Sequence, residues 1–191
     1  VHISTDKVVN AINTLGASKL LSERLVIAAH NYIGHKKTSF CVVRFGNVIG
    51  TKGSLVHLIS EQLRHNERPF ITDKKMTRFL LTEKQAASFI LKAGAMKQDG
   101  AIFVPKMPAV NVIDLIQATI DELCSRYSLK KTTPRETGIR TGEKMYEELM
   151  TDLEFERCKE LDGMYVIPSN LSSAKAIPKQ KISLRSDKAE K

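Results

Sequence analysis

Val1-His2-Ile3-Ser4-Thr5-Asp6-Lys7 starts as an apolar run and breaks off into four polar side chains. The apolar part reads as a buried strand. A strand that stops in Ser-Thr-Asp-Lys ahead of a helix presents those groups at its C-terminal end. In open α/β sheets that end faces the ligand crevice. Asp6, Lys7 and a second amine, Lys19 early in the next helix, are expected to converge on that crevice as a catalytic group for proton transfer. The same residues also make an ordinary capped turn, because Ser, Thr and Asp are good helix caps and lysine is usually solvated.

Outward from Lys7, residues 8–13 read as a loop, with Asn13 or Thr14 able to cap the next helix. From Leu15 to Tyr32 the apolar residues Leu20, Leu21, Leu25, Ile27, Ala28 and Tyr32 fall near helical spacing. Lys19, Glu23 and Arg24 lie off that stripe, and Gly34 is the expected stop. Residues 39–45 form a near-continuous β-branched and aromatic run, the pattern of a second buried, parallel strand. Strand, helix, strand is a βαβ unit. Gly46, Gly50 and Gly53 follow, which implies a tightly turning backbone open to a ligand. Further on, the pattern predicts a helix over 55–63, an extended piece at 69–72, a strand over 76–82 and a helix over 83–96. Residues 101–104 read as a strand and 112–127 as an amphipathic helix. A turn at 138–144 is expected to open a last helix ending at Met150. Beyond Leu171 periodicity is lost, and residues 171–191 read as a disordered basic tail.

The 191 residues carry a formal net charge of +9, 42% hydrophobic residues and no Trp. Six lysines and arginines against two acids lie between 171 and 191, so much of the excess sits in the tail. The rest is scattered, with no basic stripe interleaved with aromatics, which argues against nucleic acid. An anionic small substrate such as a nucleotide diphosphate explains scattered cations equally well. No run approaches the ~20 apolar residues of a membrane span. Cys41, Cys124 and Cys158 are widely spaced and lack a Cys-x-x-Cys pair. They suit reduced thiols in a cytoplasmic protein better than a disulfide frame or a metal site.

Four segments taken together carry a resemblance. They are Ser4-Thr5-Asp6-Lys7 with Lys19 on the next helix, Val43-Arg44-Phe45-Gly46-Asn47-Val48-Ile49-Gly50, Met76-Thr77-Arg78-Phe79, and residues 139–149 from Ile139 through Arg140, Gly142, Glu143 and Lys144 to Leu149. In this order they resemble the UDP-N-acetylglucosamine 4,6-dehydratases of polysaccharide biosynthesis, within the extended short-chain dehydrogenase/reductase superfamily. The resemblance covers about Val1 to Thr151. It implies an α/β fold: a partial Rossmann-like parallel sheet made of the C-terminal strands, plus a small α/β substrate-binding lobe. The implied division is a nucleotide-binding part over 1–50 and a substrate lobe with interleaved sheet elements over 51–170.

The resemblance also implies roles. Thr5 would hydrogen-bond the C4 oxygen of the sugar, Asp6 would be the acid at C6 and Lys7 the base at C5. Lys19 would hold the nicotinamide ribose of NAD or NADP, with Ser4 and Phe45 also on the cofactor side. Asn47, Arg78, Arg140 and Glu143 would face the UDP-sugar, and the helix from Leu15 is of a kind that pairs with its own copy. Two departures stand out. Leu15 occupies the position where the superfamily has the tyrosine of Tyr-x-x-x-Lys, which leaves the C4 base open between Lys7 and a water held by Thr5. The glycine-rich dinucleotide fingerprint is absent, so the chain is expected to work with an N-terminal half and to bind NAD poorly alone. The alternatives are a UDP-sugar epimerase and a non-catalytic sugar-nucleotide-binding subunit.

Overall fold

The computed structural model describes residues 1–32, 37–169 and 184–189. Strand β1 (His2–Thr5) runs into a 3₁₀ turn, Asp6–Val8, and then helix α1 (Thr14–Ala29). Asn13 caps α1, its Oδ1 accepting from the Gly16 N–H at 2.8 Å. The chain returns as β2 (Val42–Phe45), parallel to β1 with Ser4 opposite Arg44 and Thr5 opposite Phe45. The expected βαβ unit is present. Gly34, the expected stop of the helix, lies outside the described residues.

After β2 come β3 (Asn47–Ile49), α2 (Leu55–Arg64), β4 (Phe70–Ile71), β5 (Thr77–Thr82) and α3 (Glu83–Ala95). A capping box between Thr82 and Gln85 starts α3,. Then follow β6 (Ile102–Pro105), β7 (Ala109–Asn111), α4 (Val112–Tyr127), β8 (Arg135–Glu136), α5 (Asp152–Glu156), β9 (Lys159–Leu161) and β10 (Met164–Ile167). Three sheets result: β1-β2-β6-β10-β9, β3-β5-β7 and β4-β8. The first is parallel through β1, β2 and β6 and closes with an antiparallel pair. Strands β2, β6 and β10 are buried on both faces, whereas β9 is mostly exposed. The opening run, expected to be buried, leaves Val1 and Ile3 exposed, because no strand covers β1 on its far side among the described residues. Val43, Phe103 and Val166 pack toward α3, while Val42, Ile102, Val104 and Ile167 pack toward Phe155 on the other side,. A third cluster joins α2 and α4 through Ile59, Leu63, Ile116 and Ile120. Among the described residues no helix is long and apolar enough to cross a membrane. The three cysteines are free and buried, and burial pushes the Cys158 thiol up to about 12.

The structure corrects three further readings. On α1, Leu21 and Leu25 are 62% and 63% exposed, while Glu23 is fully buried. The reason is Arg44. It points from β2 toward α1 and is hydrogen-bonded by both oxygens of Glu23 (3.1 and 2.8 Å) and of Glu154 (2.9 and 3.0 Å). A buried guanidinium needs such partners, so the polar face turns inward. Second, residues 142–150 form no helix. Met145 O accepts from the Thr77 N–H at 3.0 Å, and the carbonyls of Lys144 and Met145 accept from Arg78 at 2.8 and 3.3 Å. Acceptors spent on β5 cannot build i→i+4 bonds. Third, the expected disorder of the tail fails at Leu184–Ala189, which docks on residues 147–149. Leu149 N–H donates to Leu184 O and Ser186 N–H to Glu147 O, each at 2.9 Å. Ser186 is fully buried. The remainder of that tail lies outside the described residues.

The hairpin of β9 and β10 went unread in the sequence. Its turn, Asp162-Gly163, has φ of +50° and +76°. Asp-Gly between two strands is the signal that could have found it.

Candidate active site

The site begins where β1 ends. Thr5 caps the 3₁₀ turn, its Oγ1 accepting from the Lys7 N–H at 3.4 Å and donating to Asp6 Oδ1 at 3.0 Å. This local ring of bonds turns Asp6 inward, where it is fully buried. Lys7 Nζ donates to Asp6 Oδ1 at 3.0 Å and to Asn47 Oδ1 at 3.2 Å. Asn47 reaches it because β3 leaves β2 directly after Gly46. A Cβ at Gly46 would sit 2.6 Å from Phe79 O, so this glycine serves close strand packing. Gly50, with φ of +87°, makes the turn itself.

Thr5, Asp6, Lys7 and Asn47 therefore share one cluster, as the sequence predicts. Arg78 joins it at one remove. Its guanidinium binds loop carbonyls, and its Nε stands 3.8 Å from Glu147 Oε1. Arg140 and Glu143 sit together in the neighbouring loop. Glu143 accepts from the Arg140 N–H (3.2 Å) and from Thr72 Oγ1 (3.1 Å). The Arg140 guanidinium lies 5.2 Å over the Phe70 ring, a cation–π contact. Lys19 does not touch Asp6 or Lys7; its Nζ donates to Ile3 O at 3.0 Å, one residue before Ser4. Ser4 Oγ is buried without a hydrogen-bond partner. Phe45 is a core residue, edge-on to Phe89 at 6.3 Å.

Sequence reasoning missed Glu147. It is 2% exposed, and its Oε1 lies 3.6 Å from Lys7 Nζ. Burial, and after it the charge of Asp6, hold the Glu147 carboxyl above the usual carboxylate range, against the pull of Lys7, Arg78 and Lys144. On the helix expected there, Glu147 and Glu148 look alike. Only the loop's path separates them: Glu147 goes inward, and Glu148 accepts from Asn10 at 2.7 Å.

Residues 1–169 match the family model described as polysaccharide biosynthesis protein. The chain belongs to the polysaccharide biosynthesis protein family. Within that family it is 43% identical over 169 residues to a protein of Methanocaldococcus jannaschii named as an uncharacterized membrane protein, covering 87% of this chain and 51% of the relative. It is 33% identical over 172 residues to the inverting UDP-N-acetylglucosamine 4,6-dehydratase of Campylobacter jejuni, covering 90% of this chain and 49% of that enzyme. A UDP-glucose 4-epimerase of Rickettsia bellii is 36% identical over 168 residues, with 88% and 48% covered. The solved structure of Pen from Bacillus thuringiensis superposes with a TM-score of 0.89 at 37% identity, over 98% of this chain and 57% of that one. The chain thus spans about half the length of the curated relatives it matches. For this member of the polysaccharide biosynthesis family, the parallel strands β1, β2 and β6 are the shared Rossmann-type core that carries the cluster.

Proposed function

We propose that the chain is the substrate-side half of a nucleotide-sugar 4,6-dehydratase acting on a UDP-N-acetylglucosamine-type substrate. The observation that carries this reading is the Lys7 amine, held between the buried Asp6 carboxyl and Asn47, with the Thr5 hydroxyl alongside. Simple 4-epimerisation has no leaving hydroxyl and needs no such acid beside the base. A nicotinamide cofactor would supply the hydride acceptor at C4 and return the hydride at C6.

Each residue then has a task. Thr5 orients the C4 hydroxyl, whose proton passes to a water that Thr5 holds as C4 is oxidised. Once C4 is a ketone, the C5 proton is acidic and passes to Lys7 Nζ. Asp6 gives its proton to the C6 hydroxyl, which leaves as water. Lys7 returns its proton to C5 after C6 is reduced. Asn47 holds the amine on line, and Arg140 and Glu143 face the diphosphate and uridine side. Arg78 shapes the loop between them. Two groups present suit the nicotinamide end: Lys19, bonded to the Ile3 carbonyl of β1, and the buried, partnerless hydroxyl of Ser4 on the same strand. No glycine-rich fingerprint for the pyrophosphate occurs in the 191 residues. The reading therefore takes a dinucleotide-binding half as the working partner and leaves NAD and NADP equal. Reduced cysteines accord with a cytoplasmic site of action.

The test is to supply UDP-N-acetylglucosamine and NAD⁺ to the protein joined to that half. Loss of one water by mass is expected. A product of unchanged mass would instead establish the epimerase, which the Rickettsia relative makes the second reading. Binding without any product would leave a sugar-nucleotide-binding subunit.

A further inference from the structure

Lys7 can take a proton from carbon only while its amine is uncharged. Yet two carboxyls face it, Asp6 at 3.0 Å and Glu147 at 3.6 Å. An ionised carboxylate at that range favours the ammonium over the free amine. In the dehydratase reading Asp6 is the acid and carries its proton, so Glu147 is the remaining carboxyl whose charge would hold Lys7 in its ammonium form.

The molecule contains its own comparison for a buried glutamate that is meant to be ionised. Glu154 receives two hydrogen bonds from Arg44 and one from the Thr151 N–H, and these hold its carboxyl below the usual range although burial alone would raise it. Glu147 has nothing of the kind. Its Oε2 is buried without a hydrogen-bond partner, and Oε1 faces its nearest cations at 3.6 and 3.8 Å. Those cations are Lys7 and Arg78, and both are engaged elsewhere: Lys7 donates to Asp6 and Asn47. Arg78 binds the carbonyls of Thr77, Lys144 and Met145, and Lys144 Nζ donates to Val9 O. The placement of Glu147 is nonetheless fixed. Its N–H donates to Ser186 Oγ at 2.9 Å, and that hydroxyl also binds Thr77 O at 3.1 Å. A buried carboxyl without donors is stable when neutral. The charged and titratable groups around Glu147 are Asp6 and Lys7 on the turn after β1, Arg78 on β5, and Lys144 on its own loop.

We propose that Glu147 works as an uncharged carboxylic acid, a positioning residue beside Lys7 whose neutrality leaves that amine free to act as the base. This rests on the dehydratase reading, in which Lys7 takes the C5 proton. When Glu147 ionises, as pH rises through its elevated value, its charge holds the proton on Lys7, so turnover stops rising with pH.

The experiment compares pH profiles of kcat for wild type and Glu147→Gln in the protein joined to its dinucleotide half. Infrared difference spectra of both proteins are recorded alongside. Glutamine copies the neutral acid and cannot ionise. The ratio of variant to wild-type kcat is therefore expected to climb at least tenfold as pH rises through the range in which Glu147 ionises. The wild type should show a protonated-carboxyl carbonyl band that Glu147→Gln lacks. A flat ratio, a variant inactive at every pH despite bound UDP-sugar, or absence of that band overturns the proposal. The band reports on Glu147 whether or not turnover occurs. A wild type with the band but no loss of water from the sugar overturns the dehydratase reading instead.

Discussion

At the scale of single residues, two buried acid–base clusters have opposite designs. Around Lys7 the carboxyls are under-bonded; around Arg44 they are saturated. Lys7→Ala is expected to lower turnover by about 10²–10⁴-fold, the usual worth of a positioned base, while UDP-sugar binding measured by calorimetry stays close to wild type. Near-normal turnover would remove Lys7 as the base. At the second cluster, Arg44→Met leaves Glu23 and Glu154 buried without their cation. That should cost about 3–5 kcal/mol in urea unfolding. The pH dependence there has a definite sign. The folded pKa of Glu154 lies below its ordinary value, so its contribution is complete above the ordinary glutamate range. It is lost as pH falls through the depressed value. Glu154→Gln should flatten the acid side of the stability curve, and an unchanged acid slope would contradict the assignment.

Elements meet the site through two close approaches. A Cβ at Gly16, in the first turn of α1, would lie 2.3 Å from Lys7 O. That atom is backbone and cannot step aside cheaply. Gly16→Ala should therefore destabilise by about 1–3 kcal/mol and displace the Asp6–Lys7 turn, lowering kcat more than sugar affinity. A thermal melt together with kcat and KM checks both halves of this expectation. The second approach is the 184–189 segment. Arg185 stacks 3.6 Å over the Tyr146 ring, and Ser186 joins β5 to the Glu147 loop.

Across the whole molecule, α1 turns Leu15, Leu21 and Leu25 to the outside, and β1 pairs only with β2 among the described strands. Exposed leucines on one helix would suit an interaction surface. The self-association that the sequence resemblance implies would use that helix. Leu21→Glu combined with Leu25→Glu should shift the species seen by light scattering toward the monomer while leaving the circular dichroism unchanged. A wild-type chain that is already monomeric would sink this.

Much of this protein follows from local pattern alone. Val1 and Ile3 of the opening run are exposed, but the runs at 42–45 and 101–104 are buried on both sides, and such strands declare themselves without tertiary context,. Ser4-Thr5-Asp6-Lys7 is legible for the same reason, because its geometry is set by neighbours two residues away. What sequence could not supply is the direction taken by polar groups whose partners are far along the chain. Glu23 turns inward for Arg44, Met145 gives its carbonyl to β5, and Glu147 comes to rest against Lys7, some 140 residues upstream. Each of these choices is an exchange of hydrogen-bond partners or charges across the fold. Periodicity records which residues avoid water; it does not record which polar group a buried polar group will find.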